Sequence, residues 1–113
     1  MELTVGITGA SGTIYAHKTL QLLAASGVVE QINLIMSGTA ATVAQVEMGV
    51  NLKDPTVPKI NEWLGLEPES RLIRFWRLDN LAAKPSSGSH KQAGMIIVPC
   101  SMGTLGAIAS GAG

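Results

Sequence analysis

Aromatic residues are scarce in this chain of 113 residues: Tyr15, Trp63, Phe75 and Trp76 are the whole set, and Cys100 is the single cysteine. So few rings give no platform for stacking bases, and the two tryptophans and Phe75 are expected in the core or at an interface. One thiol excludes an internal disulfide framework and fits a reducing compartment. Charge of one sign is also missing. Eight basic and eight acidic residues cancel, without a run of either, which speaks against nucleic acid or an anionic membrane as partner. No apolar run is long enough to span a bilayer, and Glu2 with a strand right behind it argues against a signal peptide. A cytoplasmic protein is expected. What the chain does have is alanine, glycine and small aliphatic residues, as suits closely packed α/β layers.

The rest is organised around Gly6-Ile7-Thr8-Gly9-Ala10-Ser11-Gly12. A short apolar run precedes it, and a helical pattern with Ala16, Leu20 and Leu23 on one face follows. Strand, glycine-rich turn and helix form the first half of a Rossmann-type unit. The turn lets the backbone approach a ligand, and the helix start offers free N–H groups to an anion.

Further along, the sequence predicts strands over residues 3–8, 31–36, 71–78 and 95–99. Helices are predicted over 13–25, closed by Gly27, over 37–48, ended by Gly49, and over 60–66. Residues 51–59 read as an exposed connection and 79–92 as a loop centred on Pro85-Ser86-Ser87-Gly88-Ser89. A last helix is expected to start after Cys100. The fold class is α/β: a Rossmann-like three-layer αβα domain with a parallel sheet in the order 3-2-1-4. It is a single domain over 1–113, without internal repeat or linker. A helix barely begun before Gly111-Ala112-Gly113 gives the expectation of an N-terminal portion whose C-terminal part is missing.

In that topology a ligand belongs in the crevice at the carboxyl ends of strands 1 and 4, between Gly9–Gly12 and Cys100–Thr104, with Ser37 nearby. Small residues, hydroxyls and helix starts there suit a phosphate-bearing ligand. Met36-Ser37-Gly38 offers neither the carboxylate an NAD site needs after its second strand nor an arginine for a 2′-phosphate. A mononucleotide remains, with FMN the common one for such a crevice.

GITGASG, the serine after strand 2, SSGS and PCSMGTL together closely resemble the flavin prenyltransferases, the UbiX family within the homo-oligomeric flavin-containing cysteine decarboxylase fold. The resemblance runs from Val5 to the last residue and is most specific over Pro85 to Ala109. It implies transfer of a dimethylallyl group from dimethylallyl monophosphate to N5 and C6 of reduced FMN. The prenylated FMN would serve a partner decarboxylase, as in ubiquinone biosynthesis. It further implies a metal-independent reaction and a homo-oligomer, commonly a dodecamer. Matched residue by residue, Gly9, Ala10 and Ser11 form one FMN-contacting segment and Ser101, Met102, Gly103 and Thr104 another, with Ser37 as a further FMN hydroxyl. Ser11 and Glu47 match the pair proposed to move protons. Ser87, Gly88 and Ser89 match the loop near the prenyl donor. Gly103 stands where many members have a longer polar or basic residue, and the family's donor-phosphate residues fall beyond Gly113.

Two other readings belong beside this one. A peptidyl-cysteine decarboxylase of the same fold would show an Ala-Asn motif after strand 4, where this chain has PCSMGT. A non-catalytic flavin-binding fragment is the alternative from another class. Cys100 is expected as a buried small apolar residue, His17 on the outer face of its helix, and His90 near the site loop. Glu47 shares a helix face with Ala40, Val43 and Ala44, a face expected to lie on the sheet. A carboxylate there either reaches Ser11, directly or through water, with its pKa raised by desolvation, or curls out to solvent near the helix end.

Overall fold

The structure, a computed structural model, describes residues 1–77 and 94–100. The predicted loop 79–92, with Ser87, Gly88, Ser89 and His90, lies outside the described residues, as does the helix predicted after Cys100, with Ser101 to Thr104. In chain order the elements are β1 (Glu2–Ile7), α1 (Thr13–Ser26), β2 (Gln31–Met36), α2 (Gly38–Met48), α3 (Val57–Leu64), β3 (Ile73–Arg77) and β4 (Gly94–Ile97).

All strand pairs are parallel and the sheet order is β3-β2-β1-β4, as the α/β reading expects. Register sets Val5 beside Leu34 and Leu34 beside Phe75, and Ile7 beside Met36. Because alternate residues of a strand share a face, Val5, Ile7, Ile32, Leu34, Met36 and Ile73 form one apolar surface, and all are buried. Ala16 and Leu20 of α1 and Ile60 and Leu64 of α3 join them in one core. The other face is more polar. There Asn33, fully buried, donates to Glu2 Oε2 at 2.6 Å and accepts from the Trp76 indole at 3.3 Å.

The helix layer departs from expectation in two places. Residue 60 is too late a start for α3, which opens at Val57: the Thr56 hydroxyl accepts from Lys59 N, and Pro58 sits in the first turn, where its missing N–H costs nothing. α2 touches α1, and its Ala40 and Ala44 are buried in the same core as the sheet residues. It runs from Thr39, beside Gly9, to Glu47, beside Gly12 and Thr13, so it crosses near the carboxyl end of β1. His17 is not on an outer face. It is half-buried against α3, with Nε2 2.8 Å from Trp63 O and the two rings 4.8 Å apart.

β4 is less buried than its MIIVP sequence suggests. Among the described strands it pairs only with β1, and Met95 is 52% exposed. Cys100 is half-buried rather than buried.

Candidate functional site

Two short tethers bring the predicted loops to one end of the sheet. Beyond β1, the Thr8 hydroxyl donates to Pro99 O at 2.6 Å, and Thr8 N to the same oxygen at 3.3 Å. Ser37 N donates to Ile7 O at 3.3 Å. The turn Gly9–Gly12, the start of α2 and the Val98–Cys100 segment thus meet at the carboxyl end of β1, the usual crevice of an open parallel sheet.

Each predicted residue in the described part has a definite setting. Ser37 is the N-cap of α2: its hydroxyl accepts from Ala40 N at 3.1 Å and lies 3.1 Å from Thr39 Oγ1. Gly38 opens that helix, exposed, with open space where a side chain would stand. Gly9 and Ala10 are half-buried and Ser11 is exposed. At Gly9 a side chain would meet Thr39 Oγ1 at 2.4 Å. The close approach permitted by this glycine is therefore to the start of α2.

Glu47 reaches back across 35 residues to the beginning of α1. Its Oε1 accepts from Thr13 N at 2.8 Å and from Gly12 N at 3.0 Å. Its pKa is lowered, against the expectation of a raised one. The backbone donors of Thr13 and then Gly12 stabilise the anion, with smaller help from the Thr13 and Ser11 hydroxyls, and outweigh desolvation because the side chain is exposed. The Ser11 hydroxyl does lie near Glu47, but the carboxylate's principal partners are the backbone N–H groups of Thr13 and Gly12.

A cavity of about 780 Å³ opens on the other side of Ser37. Met36, Ser37, Gly38, Leu52, Phe75 and Arg77 line it, together with the outer side of α2. The sequence pointed to Ser37 but not to this space, because Leu52 to Pro55 read only as a connection and Phe75 as core. Arg77 pairs with Asp54 at its rim. The predicted crevice lies toward β4 instead, and its wall from Ser101 to Thr104 is outside the described residues. No group of three His, Cys, Asp or Glu side chains that could hold a metal occurs among the described residues. None of their helices is long and apolar enough to cross a membrane.

Comparison with known proteins places this geometry. A flavin prenyltransferase UbiX of Saccharolobus solfataricus is 42% identical over 114 residues, covering 99% of this chain and 50% of the relative. The Streptomyces coelicolor flavin prenyltransferase UbiX is 34% identical, covering 98% and 55%. Among solved structures, a dodecameric FMN-dependent UbiX-like decarboxylase from Escherichia coli O157:H7 superimposes with a TM-score of 0.76 at 32% identity, covering 98% of this chain and 53% of that one. AnUbiX (PadA1), in complex with FMN and dimethylallyl pyrophosphate, gives a TM-score of 0.71 at 32% identity, covering 97% and 50%. The chain spans about half the length of the curated relatives it matches. The profile of the Flavoprotein family matches residues 1–113, and the chain belongs to that family.

Proposed function

We propose that the protein is a flavin prenyltransferase, which moves a dimethylallyl group from dimethylallyl monophosphate to N5 and C6 of reduced FMN. The observation that carries this reading is the meeting of the Gly9–Gly12 turn, Ser37 and Pro99 at the carboxyl end of β1, in a chain so similar to prenyltransferases. The residues present fit FMN. Ala40 N and Ala41 N bond to Ser37, whereas the N–H groups of Gly38 and Thr39, at the very start of α2, have no acceptor within the helix. With the Ser37 hydroxyl they form a seat for the phosphate, and Gly38 leaves it open.

Gly9, Ala10 and Ser11 would flank the nucleotide on one side and Ser101 to Thr104 on the other, with Ser87 to Ser89 toward the prenyl donor. Reduced flavin, when bound, supplies the electron-rich ring that accepts the allyl group. Glu47 stands close to the Ser11 hydroxyl, the pair the resemblance implies for moving protons, but its lowered pKa makes it a weak proton acceptor there. The enzyme would work in the cytoplasm as a homo-oligomer, a dodecamer as in its Escherichia coli relative. It would supply prenylated FMN to a partner decarboxylase, for example in ubiquinone synthesis.

The test is to incubate the complete gene product with reduced FMN and dimethylallyl monophosphate and to weigh the flavin. A flavin heavier by one five-carbon unit is expected. Bound but unmodified FMN would favour a flavin-binding module, and carbon dioxide released from a peptide ending in cysteine would favour a cysteine decarboxylase.

A further inference from the structure

α1 starts without a local cap. Its N-cap, Gly12, makes no side-chain bond, and the first turn holds no acidic residue. Such a start leaves backbone N–H groups bare and a positive dipole end exposed, which is the ordinary seat of a bound anion. Here Glu47 takes it, by the bonds to Gly12 N and Thr13 N described above. Glu47 is also the last residue but one of α2, where the carbonyls of its own helix disfavour negative charge. Its setting is favourable only because α1 begins there. The bonds therefore fasten the end of α2 to the turn that carries Gly9, Ala10 and Ser11, while Gly9 meets Thr39 at the other end of α2.

We propose that Glu47 is a positioning residue that fills the anion seat of α1, fixing the Gly9–Gly12 turn in its ligand-receiving shape and leaving the nucleotide phosphate to the start of α2. This is separate from proton transfer, and it rests on the reading of the crevice as a nucleotide site. A role confined to proton transfer would leave FMN affinity unchanged when the carboxylate is removed. Filling the seat makes affinity depend on a carboxylate being there, whichever molecule carries it.

The experiment compares wild type with Glu47→Ala, using sodium acetate as probe at constant ionic strength. In Glu47→Ala the FMN dissociation constant should rise about ten-fold, the scale of one lost charge-assisted bond. Acetate should restore much of the affinity and raise the melting temperature of the variant while leaving wild type unmoved. Glu47→Gln, which keeps an acceptor oxygen without charge, should fall between them, and it serves should Glu47→Ala fail to fold. Wild-type FMN affinity in both variants, or equal acetate shifts in variant and wild type, would overturn the proposal. Wild type that binds no FMN would defeat the functional reading, while the acetate effect on melting would still decide whether the seat exists.

Discussion

A methyl group on Gly9 would stand 2.4 Å from Thr39 Oγ1 and 2.7 Å from Thr39 Cβ. Neither atom is the far end of a flexible chain, so the start of α2 must move. Gly9→Ala should cost about 1–3 kcal/mol by overpacking, read from the urea midpoint, and Thr39→Gly should recover part of it, giving a double variant less damaged than the two losses added. Loss of flavin in a Gly9 variant therefore reports on α2 as well as on the ligand. Glu47 makes a second prediction, about pH. Its folded pKa lies below the ordinary 4.5, so the stability it adds is present in full above that value and is lost as pH falls through the lower folded one. The melting difference between wild type and Glu47→Gln should hold steady from neutral pH down to about 5 and shrink in stronger acid. A difference that instead vanishes between pH 7 and 5 would mean a raised pKa and a protonated, proton-donating carboxyl.

At the level of elements, Ser37 and Thr56 form a natural control pair. Each is an N-cap whose hydroxyl accepts a backbone bond, from Ala40 N at 3.1 Å and Lys59 N at 3.3 Å. Ser37→Ala and Thr56→Ala should each cost about 1 kcal/mol. If Ser37 also holds phosphate, only Ser37→Ala should lower FMN affinity, and equal affinity in the two variants would reduce Ser37 to a cap. The caps also show what was legible in the sequence. Ser37, Gly27 and Gly49 were readable because capping is local chemistry. Thr56 and Pro58 carried the same kind of signal, yet two prolines within a polar stretch read as a connection. The face of α2 was legible as far as its spacing went: Ala40 and Ala44 are buried, and Glu47 was singled out. Its partner was not, since a bond to Gly12 N depends on α2 crossing the end of β1. His17 was misjudged for the same reason: its neighbour Trp63 belongs to a helix whose place in the layer no local spacing gives.

On the scale of the whole molecule, the sheet order was legible because parallel strands with right-handed crossovers leave few arrangements. The contrast between its two faces was harder to see, since QINLIM places Asn33 within an otherwise apolar run. Register shows why an asparagine stands there. Residues 4, 33 and 74 form one row across β1, β2 and β3, and Asn33 bonds diagonally to Glu2 on one neighbour and Trp76 on the other. It thus ties three strands together with a single side chain on the face opposite α1 and α3. Asn33→Leu keeps the number and branching of the side-chain heavy atoms in a bulkier group, but takes an acceptor from the half-buried indole and a donor from the Glu2 carboxylate. Removing one partner from a buried polar pair costs about 1–3 kcal/mol, whereas Leu34→Ala, one residue on and facing the helices, should cost about 2–5 kcal/mol by cavity formation. The two losses differ in kind. Asn33→Leu should also change the Trp76 emission, measured with Trp63 replaced by Phe, because it alters the groups around that indole, while Leu34→Ala should not. Urea unfolding of the three proteins supplies both quantities. An Asn33→Leu protein as stable as wild type, with unchanged Trp76 emission, would show that the polar row does not hold the sheet together and that the apolar face alone sets the strand order.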